Sequence, residues 1–320
     1  MIKKWKSKLA RSSWIQSIVN WSKNFVLPGF DGLPIYYVAT FFVNGLRNGN
    51  IGTKASSIAF KFFLALFPTI IFLVTLIPII PIENFQLQLL TILNDLLPTK
   101  AYQFAEATLI EIFTTKKEGL LSFGFLFALY LATNGLDGML TAFKDSYHSH
   151  FKRNAIRQQL LAAFLLFILT ILVIVAIAAI VVSEYLTKFI FEPGDFSSML
   201  LIAGKWFIII LLCFFGISTL YYYGGKRGEK WRFFSAGSTL GTILVLLVSL
   251  IFGFYVDNFA NYNKFYGSIG AMIIVMIWIY INSFVLLIGF ELNASIRQAG
   301  TLDEVEKKIE KEAEEVGKED

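Results

Sequence analysis

One cysteine, two histidines and a charged fraction of only 16% set the first limits on this 320-residue sequence. Cys213 has no second thiol to pair with, so neither a disulfide framework nor a thiolate metal site can be built. His148 and His150 stand two residues apart with no cysteine near them, and a site of three or four ligands would need carboxylates brought in from elsewhere. They read as solvated loop histidines, and no metal is expected. The sequence also lacks a GxxxxGK[ST] loop for a nucleotide phosphate and a GxSxG elbow for a nucleophile. Its acidic residues are scattered or gathered in the tail, with no grouping suited to two-metal hydrolysis. Neither catalysis nor a cofactor is expected. The formal net charge of +5 does not point to nucleic acid, because the basic residues lie between apolar runs and not beside exposed aromatics on a soluble face.

What is abundant is hydrocarbon. With 56% hydrophobic residues and a mean hydropathy of +0.64, the chain is too apolar for an ordinary soluble domain and reads as an integral membrane protein. A span needs about 20 mostly apolar residues to cross roughly 30 Å of hydrocarbon. Six stretches qualify: Ala55 to Ile80, Gly119 to Phe143, Leu160 to Val182, Trp206 to Tyr223, Phe233 to Val256 and Ser268 to Leu292. The expected fold is all-α and polytopic, with a membrane domain over residues 55–297. Pro68 lies in the middle of the first span, where its missing N–H and its ring kink the helix. In the fifth, Gly237 and Gly241 form a GxxxG that lets a neighbouring helix approach closely.

Lysine and arginine in the connections give the orientation. Residues 1–54 carry Lys3, Lys4, Lys6, Lys8, Arg11, Lys23, Arg47 and Lys54; the second connection carries Lys144, Lys152, Arg153 and Arg157; the fourth carries Lys226, Arg227, Lys230 and Arg232. The alternate connections are poor in basic residues, so both termini are expected in the cytoplasm. Residues 1–25 lack the uninterrupted apolar core of a signal peptide. Trp14, Ile18, Trp21 and Phe25 recur instead at helical spacing beside lysines, which suits a helix on an anionic membrane surface. "IYYVATFFVNGL" reads as a second amphipathic piece. The alternative is that both pack on the cytoplasmic ends of the spans. In the long outer connection, 81–118, Phe85, Leu89, Ile92, Leu93, Leu96 and Leu97 line one helical face and predict a helical cap. The tail, 298–320, turns acidic after Gly300; Thr301 and Glu304 have capping-box spacing, and the tail reads as a solvated helix or a partner-binding segment.

Three blocks resemble the YihY/BrkB family of bacterial inner-membrane proteins: "KASSIAFKFFLALFPTIIFLVTLIPIIP", "GLLSFGFLFALYLATNGLDGMLTAFKDSYH" and "YGSIGAMIIVMIWIYINSFVLLIGFELNAS". In the last block Tyr266, Gly267, Ser268, Gly270, Trp278, Tyr280, Gly289, Glu291, Leu292 and Asn293 match the family's final span in order. The resemblance covers roughly residues 50 to 297; Lys61 departs from it, standing where an aromatic or neutral residue is more usual. It implies six spans and a bacterial inner-membrane location. Members have been called virulence or serum-resistance factors, proposed as envelope-lipid transporters, and labelled as a ribonuclease; no residue pattern here supports the last.

Polar residues within spans are costly and are functional candidates by default. Lys61 and Asp137 each lie about 9 Å inside the cytoplasmic edge, counting about 1.5 Å per residue; Glu291 lies at the edge and Asn282 about halfway down. Lys61 either snorkels to the headgroups or pairs with Asp137. Asp137 pairs with Lys61, bonds Asn134 or lines water. Glu291 is a pathway residue or an interfacial carboxylate bonded to Arg297 or a loop lysine, while Asn134, Asn282 and Asn293 are pathway residues or interhelical hydrogen bonds. The expected function is movement or accommodation of an amphipathic or envelope-lipid substrate through a cavity open toward the cytoplasm. The rival is a non-transporting envelope scaffold that binds partners, and an enzyme acting on lipid comes third. Membrane lipids are the expected partners, nucleic acid is not one, and a homo-oligomer is left open.

Overall fold

The computed structural model describes residues 13–76, 118–146, 149–150, 152–189, 196–225, 232–259 and 268–316. Among them are eight helices: α1 (Ser13–Asn24), α2 (Ile35–Asn48), α3 (Ile51–Leu76), α4 (Glu118–Lys144), α5 (Ala155–Phe189), α6 (Phe196–Gly224), α7 (Ala236–Phe259) and α8 (Ser268–Val316). A minimal antiparallel hairpin, β1 (Asp145–Ser146) with β2 (Ser149–His150), joins α4 to α5. The chain is an all-α polytopic membrane protein. The outer connection lies outside the described residues apart from Glu118, as do Tyr266 and Gly267; Gly270 sits in the first turn of α8.

Four segments among the described residues are long and apolar enough to cross a membrane: Ala155–Ile180, Met199–Gly224, Ala236–Tyr255 and Met272–Val305. They correspond to the last four expected spans, and α3 and α4 occupy the places of the first two. Phe164, Phe167, Ile171, Ile174 and Ile177 of α5 are all exposed, as on a helix turned toward lipid.

Local chemistry sets the helix ends. Asn154 caps α5 by accepting the Ile156 N–H on Oδ1 at 2.9 Å. Ser235 and Ser238 cap α7 reciprocally, each backbone N–H donating to the other's Oγ at 3.1 Å. Between α2 and α3 the chain turns through Asn50 at φ 50°, a left-handed position that asparagine tolerates. Inside α3, buried Pro68 leaves the ladder one N–H short, and Thr69 donates its hydroxyl to the Ala65 carbonyl at 2.7 Å.

The central element is α8, which packs against α2, α3, α4 and α7. Its 49 residues run unbroken from the membrane segment into the acidic tail, so the change of composition after Gly300 falls inside one helix. Leu33 and Val38 bury against Leu292, Ile296 and Ala299. Helix α2 is therefore docked on α8, in keeping with the packed alternative for this amphipathic piece.

Candidate functional site

The end of the bundle where α4 and α6 finish and α3, α5 and α7 begin carries a polar cluster on an aromatic floor. Phe143 and Phe290 stack with centroids 4.1 Å apart, and Tyr221 meets both edge-on at 5.7 Å. Next to Phe290 in sequence stands Glu291, whose side chain is buried at 3% exposure. Ser146 of β1 donates its hydroxyl to Glu291 Oε2 at 2.6 Å, while Oε1 is buried without a hydrogen-bond partner among the described residues. Gly45 of α2 covers this carboxylate so closely that a Cβ there would fall inside the radius of Oε1.

Lys54, in the first turn of α3, donates Nζ to the Asp145 carbonyl at 2.7 Å. Burial pushes its ammonium below the ordinary lysine range, and the charges of Glu291 and Asp145 oppose that shift. Glu291 and Lys54 thus hold successive residues of the α4–α5 hairpin from two helices, one at the Ser146 hydroxyl and the other at the Asp145 carbonyl. Arg153 closes the same end by donating Nη2 to the carbonyls of Tyr223, Gly224 and Gly225, the last at 2.7 Å, where α6 presents its unsatisfied C-terminal oxygens.

The expected pairing of Asp137 with Lys61 is not formed. Asp137 Oδ1 instead accepts from Gln158 Nε2 of α5 at 2.7 Å, and the same amide nitrogen donates to Thr141 Oγ1 at 2.8 Å. The amide of Gln158 neutralises nothing but supplies the donor that the carboxylate needs, and it does so with its own Oε1 left buried and unpartnered. Lys61 lies one residue away, where a Cβ on Gly138 would come 3.1 Å from its Nζ. Asn134 is half-buried on α4 and makes no hydrogen bond to Asp137.

Asn293 serves helix contact. Its Oδ1 accepts the Gly237 N–H at 2.8 Å and its Nδ2 donates to Ser235 Oγ at 2.8 Å. The partner of the GxxxG is thereby identified as α8: a Cβ on Gly289 would lie 2.8 Å from the Gly237 carbonyl and 3.0 Å from Gly241 Cα. Tyr221 seals this seam by donating its hydroxyl to the Leu286 carbonyl at 2.6 Å.

Asn282 lies elsewhere, on the wall of a cavity of about 340 Å³ between α5, α6, α7 and α8. The lining is almost wholly apolar, with Leu169, Leu172, Ile209, Leu212, Cys213 and Gly216 on α5 and α6. Asn282 gives its Nδ2 to the Trp278 carbonyl of its own helix at 2.9 Å. The candidate pathway residues therefore divide: Lys61, Asn134, Asp137, Glu291 and Asn293 sit toward the polar end, and Asn282 faces an apolar void deeper in the bundle.

Sequence reasoning missed Ser146, Gln158, Gly45 and Tyr221, and counted Lys54 only as a connection charge. Ser146 and Glu291 are 145 positions apart, and neither serine nor glycine carries a local signal that names so distant a partner.

The sequence profile of the family described as Virulence factor BrkB matches residues 42–315. Among curated relatives, the ribonuclease-like protein YfkH of Bacillus subtilis (strain 168) is 29% identical over 256 residues, covering 77% of this chain and 90% of that protein. A UPF0761 membrane protein of Psychromonas ingrahamii is 25% identical over 254 residues, covering 78% and 84%, and one of Chlorobium limicola is 26% identical over 276 residues, covering 83% and 60%. No solved structure matches. The unbroken helix carrying Gly289, Glu291 and Asn293, the glycine seam that it forms and a profile match across most of the sequence agree: this chain is a multi-pass membrane protein that belongs to the BrkB family.

Proposed function

We propose that this protein moves or accommodates an amphipathic, lipid-like substrate within the membrane. The observation that carries the reading is the cavity of about 340 Å³ among four helices of membrane-spanning length. Its lining is almost wholly apolar and its rim reaches the lipid-facing surface at Val173, so hydrocarbon is the occupant that it suits.

The scaffold reading is favoured by a different observation, that Asn293, Gln158 and Asn282 all spend amide hydrogens on bonds within the chain. Reconstitution separates the two. In vesicles holding a fluorescent phospholipid, transport predicts movement between leaflets above the protein-free rate and its loss in Gly216→Phe. No movement under any gradient or lipid composition supports the scaffold, and covalent change of the lipid supports an enzyme. The ribonuclease-like name belongs to the Bacillus relative.

This reading takes residues 1–54 and 298–320 as cytoplasmic and 55–297 as the membrane domain of a bacterial inner-membrane protein. With Cys213→Ser as background, cysteines at Thr115 and Asn261 are expected to react with an impermeant reagent from outside, and one at Lys308 is not. The reverse pattern would invert the topology.

A further inference from the structure

The cavity between α5 and α6 has no charged side chain in its lining, and its one amide is tied to its own helix. Nothing in it reads a phosphate or an ammonium. Its rim is continuous with the lipid-facing surface through Val173, which is 56% exposed. The wall also contains an unusual glycine. A Cβ on Gly216 would meet Leu169 Cδ2 at 3.4 Å and Leu172 Cδ1 at 3.6 Å, ordinary contact distances. Gly237 and Gly241, by contrast, are glycines because a Cβ would collide with backbone or with Tyr221. Packing does not require glycine at 216; what its missing side chain leaves is volume inside the cavity.

We propose that this cavity binds a single lipid acyl chain, selects by the length of that chain and not by the headgroup, and has Gly216 as the residue that sets the usable length. The inference rests on the reading of the cavity as the substrate's place. The physical basis is that burial of hydrocarbon scales with each methylene, at roughly 0.8 kcal/mol apiece, until the chain end meets a wall. A headgroup outside an apolar cavity contributes nothing to that sum. One methylene too many forces off-rotamer side chains, so a fixed wall gives a preferred length.

The test uses the full chain in vesicles of phosphatidylethanolamine and phosphatidylglycerol, with a palmitoyl phospholipid that carries a diazirine near the chain end. After irradiation, adducts are mapped by peptide mass spectrometry. The expected result is labelling of residues 169–176 and 209–220 that saturates. It should be displaced equally by unlabelled palmitoyl lipids of either headgroup and several-fold less well by lauroyl lipids. Gly216→Phe should reduce the labelling at least tenfold. Gly216→Ala, whose added methyl has room, should fold normally and shift the preference toward shorter chains. Labelling that does not saturate, that follows the headgroup, or that ignores both substitutions would overturn the proposal. Saturable labelling without lipid movement would leave the chain site standing and sink transport. Lipid movement without labelling of these segments would do the opposite.

Discussion

The seam between α7 and α8 and the gap between α5 and α6 both contain glycine, and the glycines do opposite things. At the seam, Gly237, Gly241 and Gly289 bring two backbones together until a Cβ has no place; Asn293 accepts the Gly237 N–H across it, and Tyr221 of α6 donates to the Leu286 carbonyl of α8 beside it. Beside the gap, a Cβ on Gly216 would make only ordinary contacts, and about 340 Å³ is left among α5, α6, α7 and α8. The polar groups follow the same division. The seam's amide is spent on both of its neighbours, whereas the gap has one amide turned back on its own helix. Close approach with satisfied hydrogen bonds is how helices bind one another in lipid, where no hydrophobic force joins them. Where four packed helices leave apolar space between them, that space is available to something other than a helix.

Substitutions can break this contrast, and the largest effect is expected at the seam. Gly289→Leu forces a side chain into the Gly237 carbonyl and should destabilise the bundle by on the order of 3 kcal/mol, read as loss of folded, monodisperse protein on heating in detergent. Ser146→Ala should cost about 1–3 kcal/mol by stranding a second oxygen of a buried carboxylate, and Ser146→Thr, which keeps the hydroxyl, should recover most of it in the same thermal assay. Asp137→Asn combined with Gln158→Leu should show a coupling of about 0.5 kcal/mol or more, while Asp137→Asn combined with Lys61→Met should be additive within about 0.5 kcal/mol. A strong coupling with Lys61 would restore the ion pair that the geometry does not form. Gly216→Ala should change stability by less than about 0.5 kcal/mol, and a larger loss would mean that this glycine, too, is needed for close packing.

Much of the fold was legible because membrane helices announce themselves through length and composition, and the polar end through its basic residues. The GxxxG of α7 was legible as a contact surface, and the structure supplied its partner. Asp137 shows where legibility stops. Its charge and depth were readable, and the equal depth of Lys61 in the neighbouring span suggested an ion pair, but a carboxylate needs a donor and not necessarily a cation. The donor came from Gln158 on α5, an amide with nothing in its sequence surroundings to mark it. Glu291 was placed at the water edge, but its side chain is buried and α2 covers it through Gly45, a contact between distant segments that composition does not disclose.

The continuity of α8 has a mechanical consequence. At about 1.5 Å per residue its 49 residues make a rod of about 74 Å. No proline interrupts it, and its one weak point in the tail half, Gly300, is braced by Leu33, whose methyl lies 3.7 Å from where a Cβ would be. A force applied to the acidic end is not absorbed by a hinge but is carried along the rod. Along it, the contact with α2 at Leu292, Ile296 and Ala299 comes before the glycine seam at Gly289, so tail, α2 and seam are tied to one continuous helix.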